Sequence, residues 1–290
     1  MIRSQPGPAE ELEIELPHLR FAARRQGDKA GRKLLAVHGW LDNAASFEPI
    51  APWFADFDLV AIDLPGHGRS GHRPPGTWYH TIDYLNELLA IVEHLGWPRF
   101  SLLGHSLGAA IASVFAAAVP ERVEQLFLIE GLGPLSTPAE KSLELLRAAM
   151  HERAGIHTKQ MRVFTDLDAP TRARMQHPQM PLTEPAARLL VERGTKPVPG
   201  GFVWSSDPRL TLTSAIRLTE SQIRDYLRGI QCPARLVLAD PPMPFVDQAV
   251  LEGRTELVPG LEWMRLPGSH HLHMESPEAV AQALRGADRR

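Results

Sequence analysis

One serine lies in a setting that would make it a nucleophile. Ser106 is at the centre of the motif GHSLG, which follows a short apolar run at 100–103 and opens a helical pattern. A G-x-S-x-G motif between a strand and a helix is typical of a nucleophile elbow, a strained turn that projects the serine hydroxyl above a sheet. Flanking glycines avoid side-chain clashes at such a turn, and the N–H of Leu107 would lie at the helix start, where it can stabilise negative charge. The motif predicts Ser106 as the catalytic nucleophile and Leu107 as an oxyanion-hole donor.

An earlier strand end offers a second donor. In the run LLAVHGWLDNAASF, Gly39 lets the backbone approach the site closely, so the N–H of Trp40 is predicted to complete the oxyanion hole. The side chains of Trp40 and His105 are the predicted substrate contacts. His38 is interpreted as a structural hydrogen-bonding residue, because a better placed base occurs later in the chain.

That base is His270, which follows the apolar run 261–266 and precedes a helix that begins near Ser276. The neighbouring His271 and His273 also suggest a metal site. No further cysteine, histidine or carboxylate stands nearby at metal-ligand spacing, so the sequence predicts no metal. His271 and His273 are interpreted either as bystanders or as residues that support His270.

A carboxylate is needed to fix the tautomer of the histidine and to stabilise its imidazolium form. When the serine lies on such an elbow, the acid and then the histidine follow it in the chain. Glu130 ends the strand QLFLIE, and Asp240 ends the strand RLVLAD. The chain order allows either residue.

The elements that must position these residues alternate between strands and helices. Such alternation predicts a mostly parallel sheet flanked by helices, with right-handed crossovers. The predicted strands are 12–16, 19–24, 34–37, 59–62, 100–103, 125–129, 235–239 and 261–266. The predicted helices are 82–95, 107–118, 220–228 and one that follows Ser276.

One segment interrupts this alternation. Residues 133–213 contain no convincing buried strand, and helical patterns at 138–151, 159–167 and 184–192 are separated by Pro- and Gly-rich joints such as KPVPGG. We expect a helical cap over a core formed by residues 1–132 and 214–290. Its methionines, Met150, Met161, Met175 and Met180, are expected to shape an apolar pocket.

Composition excludes several other classes of protein. The formal net charge is -3, which gives no electrostatic footprint for nucleic acid, and no apolar run is long enough to span a membrane. The N-terminal residues include no apolar signal segment, so a cytoplasmic protein with a small-molecule substrate is expected. The sequence leaves the oligomeric state open.

Four segments together carry a resemblance to a known family. HGWLDNAASFEPIAP, DLPGHGRS, GHSLG and GSHHLHMESPE resemble α/β-hydrolase superfamily members of the serine hydrolase-like group. The resemblance implies an α/β-hydrolase fold, a nucleophile at Ser106, a base at His270, oxyanion donors at Trp40 and Leu107, and no cofactor. It also implies that DLPGHGRS is a tight turn that holds loops near the site.

The resemblance bears on the choice of acid. Many α/β-hydrolases carry an aspartate a few residues past the penultimate strand, where this chain has Pro241 and Pro242 after Asp240. The chain is similar in this respect to haloalkane dehalogenases, whose acid is a glutamate at the end of the strand after the elbow helix, the position of Glu130. This favours Glu130 over Asp240. Those enzymes use an aspartate nucleophile, so the serine at 106 disfavours dehalogenation and epoxide opening.

Together these features predict hydrolysis of a carboxylic ester through an acyl-enzyme, with a modest apolar acyl ester as substrate. Two alternatives stay open. The first is a ligand sensor or scaffold built on a hydrolase frame, since a fold does not dictate a function. The second is a thioester, lactone or carbon–carbon bond hydrolase that uses the same three residues, because the pocket walls decide between these substrates.

Overall fold

A single twisted sheet of eight strands organises the chain. The computed structural model describes residues 9–156, 161–244 and 246–286. The sheet has the strand order β1-β2-β4-β3-β5-β6-β9-β10, in which β1, β2 and β4 pair antiparallel and all later neighbours pair parallel. Its strands are β1 (Glu10–Leu16), β2 (Leu19–Gly27), β3 (Arg32–Val37), β4 (Phe57–Ile62), β5 (Phe100–His105), β6 (Val123–Ile129), β9 (Ala234–Asp240) and β10 (Glu262–Pro267). The predicted strands are all present.

Helices cover both faces of this sheet. The α-helices are α1 (Asp83–His94), α2 (Leu107–Ala118), α3 (Ser142–Gly155), α4 (Asp168–Met175), α5 (Glu184–Gly194), α6 (Glu220–Arg228), α7 (Gln248–Thr255), α8 (Leu272–Glu275) and α9 (Pro277–Arg285). One buried cluster packs α1, α2 and α6 on the sheet, and a second packs α9 and the 3₁₀ turns after β3 on the opposite face. The central strands β4 and β5 are therefore buried on both sides, which explains why their sequences are uniformly apolar and not alternating. This is the α/β-hydrolase fold.

The segment between β6 and α6 is an insert, defined here as residues 133–213. It contains the helices α3, α4 and α5, and also an antiparallel hairpin of β7 (Thr195–Val198) and β8 (Gly201–Trp204) that the expected helical cap did not include. Within the joint PVPGG, Pro199 and Gly200 form the turn between the two strands. Both strands are too short for their pattern to be distinguished from a loop in the sequence.

The helix predicted at 159–167 was also misplaced. Lys159 and Gln160 lie outside the described residues, and 161–167 are not helical. Phe164 instead forms a β-bridge with Phe202, and the helix begins at Asp168 because the Asp166 carboxylate accepts the N–H groups of Asp168 and Ala169.

The parallel strands end along one edge of the sheet, and the predicted site residues follow those ends. Trp40 follows β3, Ser106 follows β5, Glu130 follows β6 and His270 follows β10. Ligands in open α/β sheets bind at this carboxyl edge. Within the described ranges, no helix is long and apolar enough to cross a membrane.

Candidate active site

The nucleophile elbow has the strained geometry that the GHSLG motif predicts. Ser106 has φ +51° and ψ -111°, a conformation that residues other than glycine rarely adopt. A Cβ atom at Gly108 would lie 1.8 Å from the carbonyl oxygen of Val37, and one at Gly104 would lie 2.5 Å from the carbonyl oxygen of Gly108. Both glycines are therefore required for the tight passage from β5 into α2.

Glu130 and His270 are brought together by the ends of β6 and β10. His270 Nδ1 lies 2.9 Å from Glu130 Oε2, and both side chains are about 4% exposed. The other carboxylate oxygen, Oε1, accepts the N–H of Ala239 at 2.5 Å. Glu130 itself has φ +55°, so the chain is strained at the acid as well as at the serine. Burial lowers the pKa of His270 below its ordinary value, while the hydrogen bond with Glu130 opposes that shift.

Asp240, the second choice for the acid, occupies a different place. It ends β9 as an exposed residue, and its backbone carbonyl accepts the N–H of Gly268. The structure thus places Glu130, and not Asp240, against His270.

A cavity of about 630 Å³ opens beside Ser106 and His270. Its walls come from the core and from the insert. About half of the lining side chains are apolar, among them Leu132, Leu135, Met180, Leu210, Leu218 and Met243, and the polar ones include Asp42, Arg174, Arg217, Arg254 and Arg265. Of the four methionines expected here, Met180 lines the cavity, and the half-buried Met161 is not among the lining residues that the structure describes. Met150 is more than half exposed, and Met175 packs beneath α5, because their helices turn those side chains elsewhere.

The predicted oxyanion donors face the same cavity. Leu107 is the first residue of α2, so its N–H lacks an acceptor within the helix, and both Leu107 and Trp40 line the cavity with Ser106. The Trp40 indole Nε1 donates to the carbonyl of Leu210, which connects this loop to the insert. His38 is buried, donates through Nδ1 to the carbonyl of Gly39 and accepts the N–H of Leu64, as expected of a structural residue.

His105 is not where a substrate contact is expected. Its side chain is fully buried and is not among the described residues that line the cavity. The elbow turns the side chains of consecutive residues in different directions, so Ser106 faces the cavity while the His105 ring points beneath it. There His105 Nε2 lies 2.9 Å from the carbonyl oxygen of His270.

The sequence did not single out Asp42, which is buried beside His105. Asp42 Oδ2 lies 3.0 Å from His271 Nε2 and 3.5 Å from His105 Nδ1. The three groups could hold a metal ion, since their ligand atoms lie within 4.8 Å of one another. However, the Arg174 guanidinium donates to Asp42 Oδ1 at 2.5 Å and already compensates the carboxylate charge. Asp42 is four residues from His38 and carries no periodic signal, so the sequence alone did not reveal it.

Asp63 and His67 hold loops near the site, as the resemblance implied. Asp63 accepts the N–H groups of Ala44 and Arg69, and the Arg193 guanidinium of α5 pairs with the same carboxylate. His67 Nδ1 lies 3.0 Å from the carbonyl oxygen of Pro65. The insert is therefore joined to the core by ion pairs at Asp42 and at Asp63.

The fold and this arrangement of strand-end residues define an α/β hydrolase, and comparison with known proteins agrees. Residues 33–165 match the family model of the alpha/beta hydrolase fold. The chain is 31% identical to a serine hydrolase-like protein of Danio rerio over 287 residues, which covers 95% of this chain and 87% of the relative. The chain therefore belongs to the serine hydrolase-like family of α/β hydrolases.

Two solved structures are similar over nearly the full length. A hypothetical protein of Pseudomonas aeruginosa PAO1 is 42% identical, with a TM-score of 0.89 and coverage of 94% of this chain and 97% of that one. The thioesterase domain from the curacin biosynthetic pathway is 26% identical, with a TM-score of 0.82 and coverage of 97% and 100%.

Proposed function

We propose that this hydrolase cleaves carboxylic esters through Ser106, His270 and Glu130 and a covalent acyl-enzyme. The observation that carries the proposal is the contact of 2.9 Å between His270 Nδ1 and Glu130 Oε2, beside a cavity that His270 shares with the strained Ser106. A carboxylate in this position holds the tautomer in which His270 Nε2 carries the lone pair that can accept a proton.

The chemistry then proceeds in two halves. His270 takes the Ser106 hydroxyl proton as Oγ attacks the ester carbonyl, and the N–H groups of Trp40 and Leu107 stabilise the oxyanion. The protonated imidazole gives its proton to the departing alkoxide, which leaves as an alcohol. Water, deprotonated by the same imidazole, attacks the acyl-enzyme and releases the acid and Ser106. Each oxyanion donor is expected to contribute about 3 kcal/mol to lowering the barrier.

The walls of the cavity support an apolar acyl group. Its six apolar side chains named above surround a space of about 630 Å³, which is within the range of small-molecule sites. We propose that the insert acts as a cap that completes this pocket and excludes water from the reacting carbonyl. The substrate would then be a small molecule with a linear or branched acyl chain.

A thioester is the second candidate. The structural similarity to a thioesterase domain at 26% identity favours it, and the same three residues would cleave a thioester by the same two halves. Steady-state rates on p-nitrophenyl butyrate and on S-butyryl-N-acetylcysteamine separate the two substrates. A higher kcat/KM on the oxygen ester supports the proposal, and a preference of tenfold or more for the thioester favours the second candidate.

The number of product molecules released per protein also distinguishes an enzyme from a ligand sensor with the same fold. An enzyme releases many equivalents of p-nitrophenol per protein, with Ser106→Ala as the control that releases none above background. A burst of one equivalent without further release would favour the sensor.

A further inference from the structure

One buried carboxylate connects the segments that carry the catalytic groups. Asp42 Oδ2 accepts the Nε2–H of His271, at 3.0 Å, and lies 3.5 Å from His105 Nδ1. Asp42 lies two residues after the oxyanion donor, His105 immediately precedes the nucleophile, and His271 immediately follows the base. The Asp42 carboxylate therefore hydrogen-bonds the base loop from the oxyanion loop and packs beside the His105 ring of the nucleophile elbow.

These contacts extend to the backbone of His270, the proposed base. His105 Nε2 donates to the carbonyl of His270 at 2.9 Å, which fixes the loop that carries the imidazole. Gly39 makes the close packing possible, because a Cβ atom there would lie 2.8 Å from His105 Nδ1 and 3.0 Å from Asp42 Oδ2. The turn of the oxyanion loop is closed by the Asp42 N–H, which donates to the Gly39 carbonyl at 3.2 Å.

The insert supplies the remaining partner. Arg174, at the end of α4, donates through Nη2 to Asp42 Oδ1 at 2.5 Å, and its side chain is 15% exposed while that of Asp42 is 2% exposed. A buried carboxylate needs a partner charge and hydrogen-bond donors, and removal of one partner leaves an uncompensated charge. The docked insert therefore supplies the guanidinium that partners Asp42 beside the His271 of the core.

The charge state of the cluster follows from its surroundings. Burial opposes ionisation of Asp42, but His271 and the Arg174 guanidinium outweigh it and hold the pKa of the carboxyl well below its ordinary value. Burial lowers the pKa of His271 to about 4, so at neutral pH this ring is neutral and donates its Nε2–H.

We propose that Asp42 and Arg174 are positioning residues. Asp42 holds the oxyanion loop and the base loop together beside the nucleophile elbow, and Arg174 makes that arrangement depend on the docked insert. Both side chains line the cavity beside Ser106, but neither is placed at the reacting atoms. The proposal rests on the proposed function, since it concerns the geometry of the same catalytic groups.

The test compares kcat with KM for p-nitrophenyl butyrate at a temperature well below the Tm of every variant. Asp42→Asn keeps the size of the side chain and removes its charge, and Arg174→Gln removes the partner from the insert. A shift of about 1 Å in a catalytic group can reduce a rate about 100-fold, so we expect each variant to lower kcat by about 10- to 100-fold with KM within about twofold. The matched control is Arg172→Gln, an exposed arginine on the same helix, for which both constants stay unchanged.

Three further readouts distinguish positioning from a general structural role. Arg174→Lys, which retains a cation, should have a kcat within about threefold of wild type and clearly above that of Arg174→Gln. The double variant Asp42→Asn with Arg174→Gln should be no slower than the slower single variant, because the two residues act through one contact. The downfield Nδ1–H proton of His270, observed by NMR, should broaden or disappear in both single variants.

The NMR signal separates this proposal from the proposed function. A wild-type protein that shows the downfield proton but no turnover contradicts the proposed function alone, and loss of the proton in Arg174→Gln still supports the positioning role. If both variants keep the wild-type kcat and an unchanged NMR proton and show only a lower Tm, the proposed positioning role is overturned. If Asp42→Asn fails to fold, the same two measurements on Arg174→Gln decide the question.

Discussion

Glu130 Oε2 lies 2.9 Å from His270 Nδ1, and the same carboxylate accepts the N–H of Ala239 through its other oxygen. The Glu130 carboxylate is thus fixed by the backbone of β9, the strand next to its own, as well as by His270. This arrangement uses the end of β6 for the acid and leaves Asp240, at the end of β9, on the surface.

The first prediction concerns the identity of the acid. Glu130→Gln should lower kcat by about 10³- to 10⁴-fold with little change in KM, because the amide no longer fixes the histidine tautomer or stabilises imidazolium. Asp240→Asn, which changes an exposed carboxylate, should leave kcat within about twofold of wild type. Steady-state hydrolysis of p-nitrophenyl butyrate measures both. A large loss in Asp240→Asn with near-normal Glu130→Gln would show that the assignment of the acid is wrong.

The second prediction concerns the pH dependence of the reaction. Catalysis needs neutral His270, whose pKa burial lowers from its ordinary value of 6.5. Activity should therefore fall on acidification with a midpoint below pH 6.5, since the imidazole becomes protonated later than a free histidine. The pH profile of kcat/KM gives the midpoint directly. A midpoint above 6.5 would contradict the direction of the shift.

The third prediction concerns stability in acid. Burial lowers the pKa of His38 to about 4 and that of His67 to about 3, whereas an unfolded histidine titrates near 6.5. As the pH falls from 6.5 toward 4, the unfolded chain binds protons that the folded chain excludes, so the free energy of unfolding decreases. It should not depend on these two groups above pH 7.

The variant His67→Gln tests the contribution of one of these two histidines to acid stability. His67→Gln should reduce the slope of unfolding free energy against pH between 6 and 4.5 by about 1.4 kcal/mol per pH unit. His94→Gln, which changes an exposed histidine at the end of α1, is the matched control. Urea unfolding at several pH values measures the slopes, and an identical slope in His67→Gln and wild type would refute the account of His67.

The features that depend on a local sequence pattern could be predicted from the sequence. The apolar runs gave the strands, and the glycines at 104 and 108 gave the elbow, because the close approach of α2 to β3 must exclude a side chain at Gly108. The position of Glu130 also followed, since an ionisable residue at the end of a buried strand needs a partner.

The features that depend on contacts between residues far apart in the chain could not be predicted from the sequence. Asp42 meets Arg174 and His271, which are 132 and 229 residues away in the chain, so its surroundings exist only after folding. His105 was expected to contact substrate because it adjoins Ser106, but the turn at Ser106 directs it beneath the cavity. The hairpin of the insert was missed because both of its strands have only four residues and β7 contains Pro197, so the strand signal is weak.

The fourth prediction tests the packing behind the elbow. Gly108→Ala would place a Cβ atom 1.8 Å from the carbonyl oxygen of Val37, which is backbone and cannot rotate away. We expect a loss of about 1–3 kcal/mol in the free energy of unfolding and a lower kcat. Gly253→Ala, in α7 with its nearest neighbour Arg224 Nη1 at 3.4 Å, should instead stabilise by about 0.5–1 kcal/mol. Equal stability of the Gly108→Ala variant and wild type would contradict this packing.

The fifth prediction concerns acyl-chain length. Ala110 lines the cavity one helical turn after Ser106, so Ala110→Leu should fill part of the space that an acyl chain occupies. We expect kcat/KM to fall about tenfold or more for an octanoate ester and to change less than threefold for acetate. Ala118→Leu, on the exposed end of the same helix, should leave the chain-length profile unchanged. A parallel decrease for all chain lengths in Ala110→Leu would argue against acyl binding at this wall.

The central claim is that Ser106 is an activated nucleophile, and labelling with a fluorophosphonate measures this most directly. Intact mass should show rapid addition of one probe molecule to the wild type, none to Ser106→Ala, and addition at least 100-fold slower in Glu130→Gln. A folded wild-type protein that stays unlabelled, or that labels equally fast in Ser106→Ala, would contradict the claim.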